Sequence, residues 1–228
     1  MGGKQGILTN ISEMIELQKK LAHLVVLKKL EYVPSLIAGF DLSFISKEKA
    51  LAVGVVLDYP TLNMVELKWT VEKVNAPYIP GLLSFREGPA ILKVYSMLEN
   101  EPDLLFFDGQ GIAHPRHLGL ASHVALMLKK PAIGVAKSHL FGRYTPPEKK
   151  RGKYTYMYDQ NEKIGVVITT KDNVKPLFVS PGSYVDLEDC VKFTLDTSRG
   201  YKLVEPTRIA DMYTKKLKKE VNTFERGR

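Results

Sequence analysis

Residues 104–109 read LLFFDG. Four large apolar side chains stand in a row without polar alternation, and the run is too short for a helix, so both faces must be buried, as in a parallel strand. Asp108 falls at the C-terminal end of that run, and Gly109 lets the chain turn away. A second run of the same kind, PAIGVA at 131–136, follows a helix-patterned stretch from Leu118 to Lys129. Two buried strands joined through a helix are expected to run parallel, connected by a crossover.

Upstream, Ser84 to Leu98 places Ala90, Ile91, Val94, Tyr95 and Leu98 on one helical face. Before it come three strand-like runs, Leu36 to Phe44, Ala50 to Tyr59 and Met64 to Val74, whose short polar or proline-bearing turns suit an antiparallel meander. Ser12 is expected to cap a helix from Glu13 to Leu30, with Ile15, Leu17, Leu21, Leu24 and Leu27 at near-helical spacing. Downstream, PPEKKRGK at 146–153 reads as a surface loop, followed by strands near Lys163 to Thr169 and Leu177 to Ser180. Helices over Asp186 to Thr197 and Pro206 to about Val221 complete the chain. The fold class is α/β, a mixed β-sheet flanked by helices whose order resembles a ribonuclease H-like layout.

At 228 residues the chain is read as a single domain, 1–228, able to bury a core without disulfides. The net charge of +8 and pI near 9.3 favour a polyanionic partner only weakly. Lys149, Lys150, Arg151 and Lys153 in the loop, and Lys215, Lys216, Lys218 and Lys219 in the last helix, could track a nucleic-acid backbone or be simply solvated. Cys190 is the only cysteine, which excludes an intrachain disulfide and a zinc site built on paired thiolates. No apolar run approaches the roughly 20 residues of a membrane span. A soluble, cytoplasmic monomer with no membrane partner is expected.

Three carboxylates invite a common explanation. Alternation in Leu36 to Phe44 puts Asp41 on the face of Ile37, Gly39 and Ser43, where a mid-strand carboxylate needs a hydrogen bond, a partner or a cation. Asp108 ends a core strand, where open α/β sheets bind ligands, and Glu87 is placed in the first turn of the Ser84 helix. Each alone has a bland reading: a turn former for Asp108, a helix-dipole partner for Glu87. Together, with no histidine or cysteine donors, they select a hard cation such as Mg2+ or Mn2+. The chemistry indicated is phosphodiester hydrolysis.

The stretch FDGQGIAHPRHLGLASHV, Phe107 to Val124, resembles the signature of the endonuclease V (deoxyinosine 3′-endonuclease) family. GFDLSF at 39–44, PYIPGLLSFREGPA at 77–90, GVAKS at 134–138 and EPTRIAD at 205–211 extend the resemblance. It implies a ribonuclease H-like fold, magnesium dependence with manganese as a substitute, and DNA containing deoxyinosine as substrate, inosine-containing RNA being the open alternative. Cleavage would fall at the second phosphodiester 3′ to the base. Asp41, Glu87 and Asp108 match the family's metal-binding carboxylates, and Asp211 falls where members carry Asp or His. Lys137 resembles the lysine that contacts the scissile phosphate or orients the attacking water. Tyr78, Ile79 and Pro80 look like the wedge that fills the gap left by an extruded nucleotide. Gly81, Leu83, Gly109, Gly111 and Leu120 sit in the two segments that the resemblance assigns to the base pocket, although each glycine could equally serve turn geometry. His114 and Arg116 are candidate phosphate contacts. Another ribonuclease H-like nuclease would share the carboxylates without needing the PYIP segment, and a noncatalytic binding module would have acids repelling its own ligand.

Overall fold

The computed structural model describes residues 10–74 and 76–226. The polar segment ahead of residue 10 and the last two residues, which the domain reading 1–228 includes, lie outside the described residues. Along the chain run α1 (Ile11–Ala22), β1 (Leu36–Phe44), β2 (Lys49–Asp58), β3 (Met64–Lys73), α2 (Leu83–Tyr95), β4 (Leu104–Phe107) and α3 (Leu120–Leu128). Then come β5 (Ala132–Ala136), β6 (Tyr154–Asp159), β7 (Glu162–Ile168), β8 (Leu177–Ser183), α4 (Leu187–Asp196) and α5 (Glu205–Arg226). The strands form one mixed sheet in the order β3-β2-β1-β4-β5-β8-β7-β6. β1, β2 and β3 make the antiparallel meander, while β4 pairs parallel with both β1 and β5. The ribonuclease H-like mixed sheet expected from the sequence is therefore present.

The unalternating run of β4 explains why helices cover both sheet faces. Leu105 and Phe107 join Ala38, Phe40, Ile91, Val94 and Val124 under α2 and α3. Leu104 and Phe106 join Ile37, Ile133, Phe193, Val204 and Ala210 under α4 and α5. All four β4 side chains are fully buried, each contributing roughly 1.5–3 kcal/mol relative to exposure.

Two glycines set distances that matter for the site. A Cβ on Gly39 would lie 2.2 Å from the Pro206 carbonyl carbon and oxygen, so only glycine lets the start of α5 settle directly on β1. A Cβ on Gly111 would lie 2.0 Å from the Pro181 oxygen, so the segment after Asp108 is pressed onto β8 backbone.

Several sequence expectations need correction. The first helix ends at Ala22, not Leu30, and its N-cap is Asn10, whose side chain accepts from the Ser12 N–H at 3.0 Å. Beyond Ala22 the backbone finds partners elsewhere: Val26 N–H donates to Ser183 Oγ at 3.0 Å and Leu30 N–H to Asp189 Oδ2 at 2.7 Å. Tertiary bonds thus replace the helical ladder in a stretch whose leucines and lysines would by themselves favour a helix. β6 had no counterpart in the sequence reading. Glu87 lies in the second turn of α2, too far from the helix start for dipole stabilisation to explain it.

Candidate functional site

The parallel register Phe40↔Phe107 brings Asp41, in β1, close to Asp108, the residue that follows β4. Each carboxylate directly follows one of the stacked Phe40 and Phe107 rings, whose centroids are 5.4 Å apart. With Glu87 from α2, they line a cavity of about 170 Å³ whose other walls include Phe40, Leu42, Leu83 and Leu120. Five apolar side chains, Phe40, Leu42, Leu83, Ile91 and Leu120, surround the three acids. Burial pushes Glu87 up to about 8, and the charges of Asp41 and Asp108 add to the rise against the opposing Arg86. Asp41 rises to about 6, mainly through burial, with Asp108 and Asp211 adding and the Thr214 hydrogen bond and Lys137 resisting.

Each strand carboxylate is steadied by a donor of the protein. Thr214 Oγ1, from α5, donates to Asp41 Oδ2 at 2.5 Å, and Lys137 Nζ donates to Asp108 Oδ2 at 2.5 Å. Burial lowers the Lys137 pKa, but the bond and charge of Asp108 outweigh it, so the net shift is upward and the ammonium is retained. Asp211 pairs with Lys215 at 2.5 Å. Among the described residues, no three His, Cys, Asp or Glu side chains already stand together as a metal cage. Asp41 and Asp108 are turned toward Thr214 and Lys137 instead. The donor set nonetheless fits a hard divalent cation: crowded carboxylate oxygens, raised pKa values and no soft ligand.

A second cavity, of about 310 Å³, shares Asp108, Leu83 and Leu120 with the first. Its walls carry Tyr78, Ile79, Pro80 and Gly81 on one side and Gly109, His114, Lys137 and Leu140 among those opposite. Most of the base-pocket and wedge candidates therefore surround one space. Tyr78, 67% exposed, is available at its rim. Gly111 and Arg116 do not line it. The Gly111 N–H is taken by Ser180 Oγ at 2.8 Å, so this glycine serves close packing on β8, the alternative left open by the sequence.

Gly81 is the hub of that wall. Its φ of +80° suits glycine, and its carbonyl accepts from Gln18 Nε2 at 2.9 Å, His114 Nε2 at 3.0 Å and Arg116 Nη2 at 2.7 Å. Since a carbonyl only accepts, His114 must carry its proton on Nε2, and Nδ1 is left to accept from the Arg116 N–H at 3.2 Å. Burial, reinforced by the Arg116 charge, lowers the His114 pKa to about 4. His114 is thus a neutral pin for the PYIP turn, and Arg116, expected with it to meet phosphate, braces the same carbonyl.

Gln18 and Thr214 escaped the sequence reading. Gln18, 1% exposed on α1, also donates to the Leu118 carbonyl at 3.1 Å and accepts from Arg116 Nε at 2.6 Å. Nothing but a glutamine on an amphipathic helix marked it beforehand. Gln18→Ala is expected to lower stability by about 1–2 kcal/mol, read as a fall in denaturation midpoint; an unchanged midpoint would show that the three-donor hub carries no net energy.

Comparison with known proteins places these features in context. The Endonuclease V family profile matches residues 19–212. Endonuclease V of Petrotoga mobilis is 49% identical over 206 residues, covering 90% of this chain and 93% of that protein. The crystal structure of Endonuclease V from Streptomyces avermitilis superposes with a TM-score of 0.89 at 35% identity, covering 95% and 96% of the two chains. Ciona intestinalis Endonuclease V, solved with a 24mer DNA containing an inosine followed by a ribo-adenosine, gives a TM-score of 0.82 at 26% identity, covering 92% and 98%.

Proposed function

The chain belongs to the endonuclease V family, and from that premise we propose that it nicks DNA beside deoxyinosine, hydrolysing the second phosphodiester bond 3′ to the base and leaving 3′-hydroxyl and 5′-phosphate ends. The observation that carries this reading is the sharing of Asp108 between the carboxylate cavity and the larger cavity under the PYIP turn. A base held in the larger space would bring its strand to the carboxylates.

Asp41, Glu87 and Asp108, with Asp211 beside them, would hold Mg2+ or Mn2+. Bound there, the cation would supply Lewis acidity to the phosphate and to the attacking water, and neutralise charge on the leaving oxygen. Lys137 adds a fixed positive charge next to Asp108, suited to hold a phosphate oxygen or orient water. Tyr78, Ile79 and Pro80 would fill the space left in the strand. Hypoxanthine presents a carbonyl oxygen and a ring N–H where adenine presents an amino group and a bare nitrogen. The walls around Gly81, Leu83, Gly109 and Leu120 would read that difference. The protein would act as a cytoplasmic monomer. Among the described residues, no helix is long and apolar enough to cross a membrane.

The test is end-labelled DNA carrying one deoxyinosine, with magnesium or chelator, beside unmodified DNA and an RNA strand carrying inosine. Magnesium-dependent nicking one nucleotide beyond the lesion is expected, at least about 10²-fold faster than on unmodified DNA. Uniform cutting would replace this reading with a general nuclease, and cutting of the RNA alone would move the substrate class.

A further inference from the structure

Beyond the two cavities of the site, a third of about 450 Å³ opens between residues 143–145 and the edge strand β6. Arg143, Tyr144, Tyr156 and Tyr158 are among its walls. Arg143 and Tyr158 are joined by a backbone bridge, with N···O distances of 2.8 Å in both directions. Lys163 Nζ lies 3.9 Å from the Tyr156 ring centroid, and the Tyr156 and Tyr158 rings are 6.4 Å apart. Aromatic faces interleaved with cations match the chemistry of unpaired bases joined by phosphates.

This cavity neighbours the site, the two being separate spaces whose walls touch. His139 lines the 310 Å³ cavity two residues beyond Lys137, and its ring lies 5.1 Å from that of Tyr144, with Phe178 packed on both at 5.5 and 5.3 Å. The three spaces therefore neighbour one another in the order tyrosine cavity, base cavity, carboxylate cavity: the first two have walls in contact at His139 and Tyr144, and the last two share Leu83, Asp108 and Leu120.

We propose that the Tyr144–Tyr158 cavity is a stacking site for the unpaired nucleotides on the 5′ side of the recognised base. The inference rests on the proposed function for its polarity: if the cut falls 3′ to the base, the strand passes 3′ toward the carboxylates, leaving its 5′ flank toward the tyrosines.

The test uses single strands carrying one inosine, with 3′ flank fixed and one to six nucleotides on the 5′ side, and reads the ratio of KM between shortest and longest. A general loss through misfolding divides out of that ratio. The wild-type KM is expected to fall about tenfold as the 5′ flank grows. Tyr144→Ala and Tyr158→Ala should each reduce that gain to about twofold, whereas Tyr144→Phe, which keeps the ring, should retain it. Varying the 3′ flank instead should give the same ratio in all variants. An unchanged 5′ ratio in both alanine variants would overturn the proposal, as would loss of the 3′ gain in place of the 5′ gain, or an equal loss in Tyr144→Phe. A cavity built for a protein partner would also leave every ratio unchanged. Fluorescence anisotropy on unmodified strands, in magnesium, separates the two readings. A length-dependent affinity lost in Tyr144→Ala without inosine-directed nicking would retain the stacking site and reject the reaction; inosine-directed nicking with unaltered ratios would do the reverse.

Discussion

Asp108→Asn is expected to slow inosine-directed nicking by about 10³-fold or more, equivalent to roughly 4 kcal/mol of lost transition-state stabilisation. The substitution is nearly isosteric and keeps an oxygen for Lys137, so the β4 terminus and both adjoining cavities should retain their shape. What disappears is a negative charge at the point shared by the base and carboxylate cavities. An amide oxygen is a poorer ligand than a carboxylate for a hard cation, and Lys137 loses its counter-charge. Single-turnover rates at saturating protein, with circular dichroism to verify folding, provide the measurement. A rate within tenfold of wild type would remove Asp108 from the reaction.

Glu87→Gln should uncouple stability from activity. The folded carboxyl sits near 8 against an ordinary value of 4.5, so the native state holds a proton that the unfolded chain releases throughout that window. The stability linked to this protonation is fully present below pH 4.5 and is lost as pH rises through 8. Every tenfold difference in proton affinity between the folded and unfolded chain is equivalent to about 1.4 kcal/mol. Allowing for coupling to Asp41 and Asp108 and for a buried amide, the metal-free variant should be about 2–3 kcal/mol more stable than wild type at pH 7.5. The difference should shrink toward pH 4.5. Asp41, raised to about 6, shifts wild-type stability in the same direction. His114 and His123, both lowered to about 4 by burial, act oppositely: their contribution is present above 6.5 and lost as pH falls toward 4. Subtracting variant from wild-type midpoints across pH 5–9 isolates Glu87, and added magnesium should narrow the gap by stabilising only a protein that binds it. A variant less stable than wild type at pH 7.5 would contradict the strain assigned to this carboxylate.

The strands nearest the carboxylates were the most legible. LLFFD has no alternation because both faces are covered, and Asp41 could be assigned to its sheet face because strand periodicity is strict. Elements whose reasons lie far away in sequence were harder to see. The first helix stops early because Ser183 and Asp189 take the backbone bonds of residues 26 and 30. β6, YTYMYD, carries an alternating β-prone pattern, but it was obscured by the charged loop before it and lies at the sheet edge. Within the site, side-chain types were readable and their partners were not. His114 as a pin for Gly81, and Gly111 as a spacer against Pro181, depend on segments 33 and 70 positions away.

The close seat of α5 on Gly39 also gives the reaction a place in the life of the chain. Thr214 reaches Asp41 across 173 positions, so this contact belongs to the longest-range closures of the fold and must wait until the chain has been made through residue 214. A nascent or C-terminally shortened chain could assemble β1, β4 and α2 and still lack the donor that fixes Asp41. Competence to cut would then arrive with the docking of α5, leaving a potentially hazardous nuclease dormant until that helix is in place.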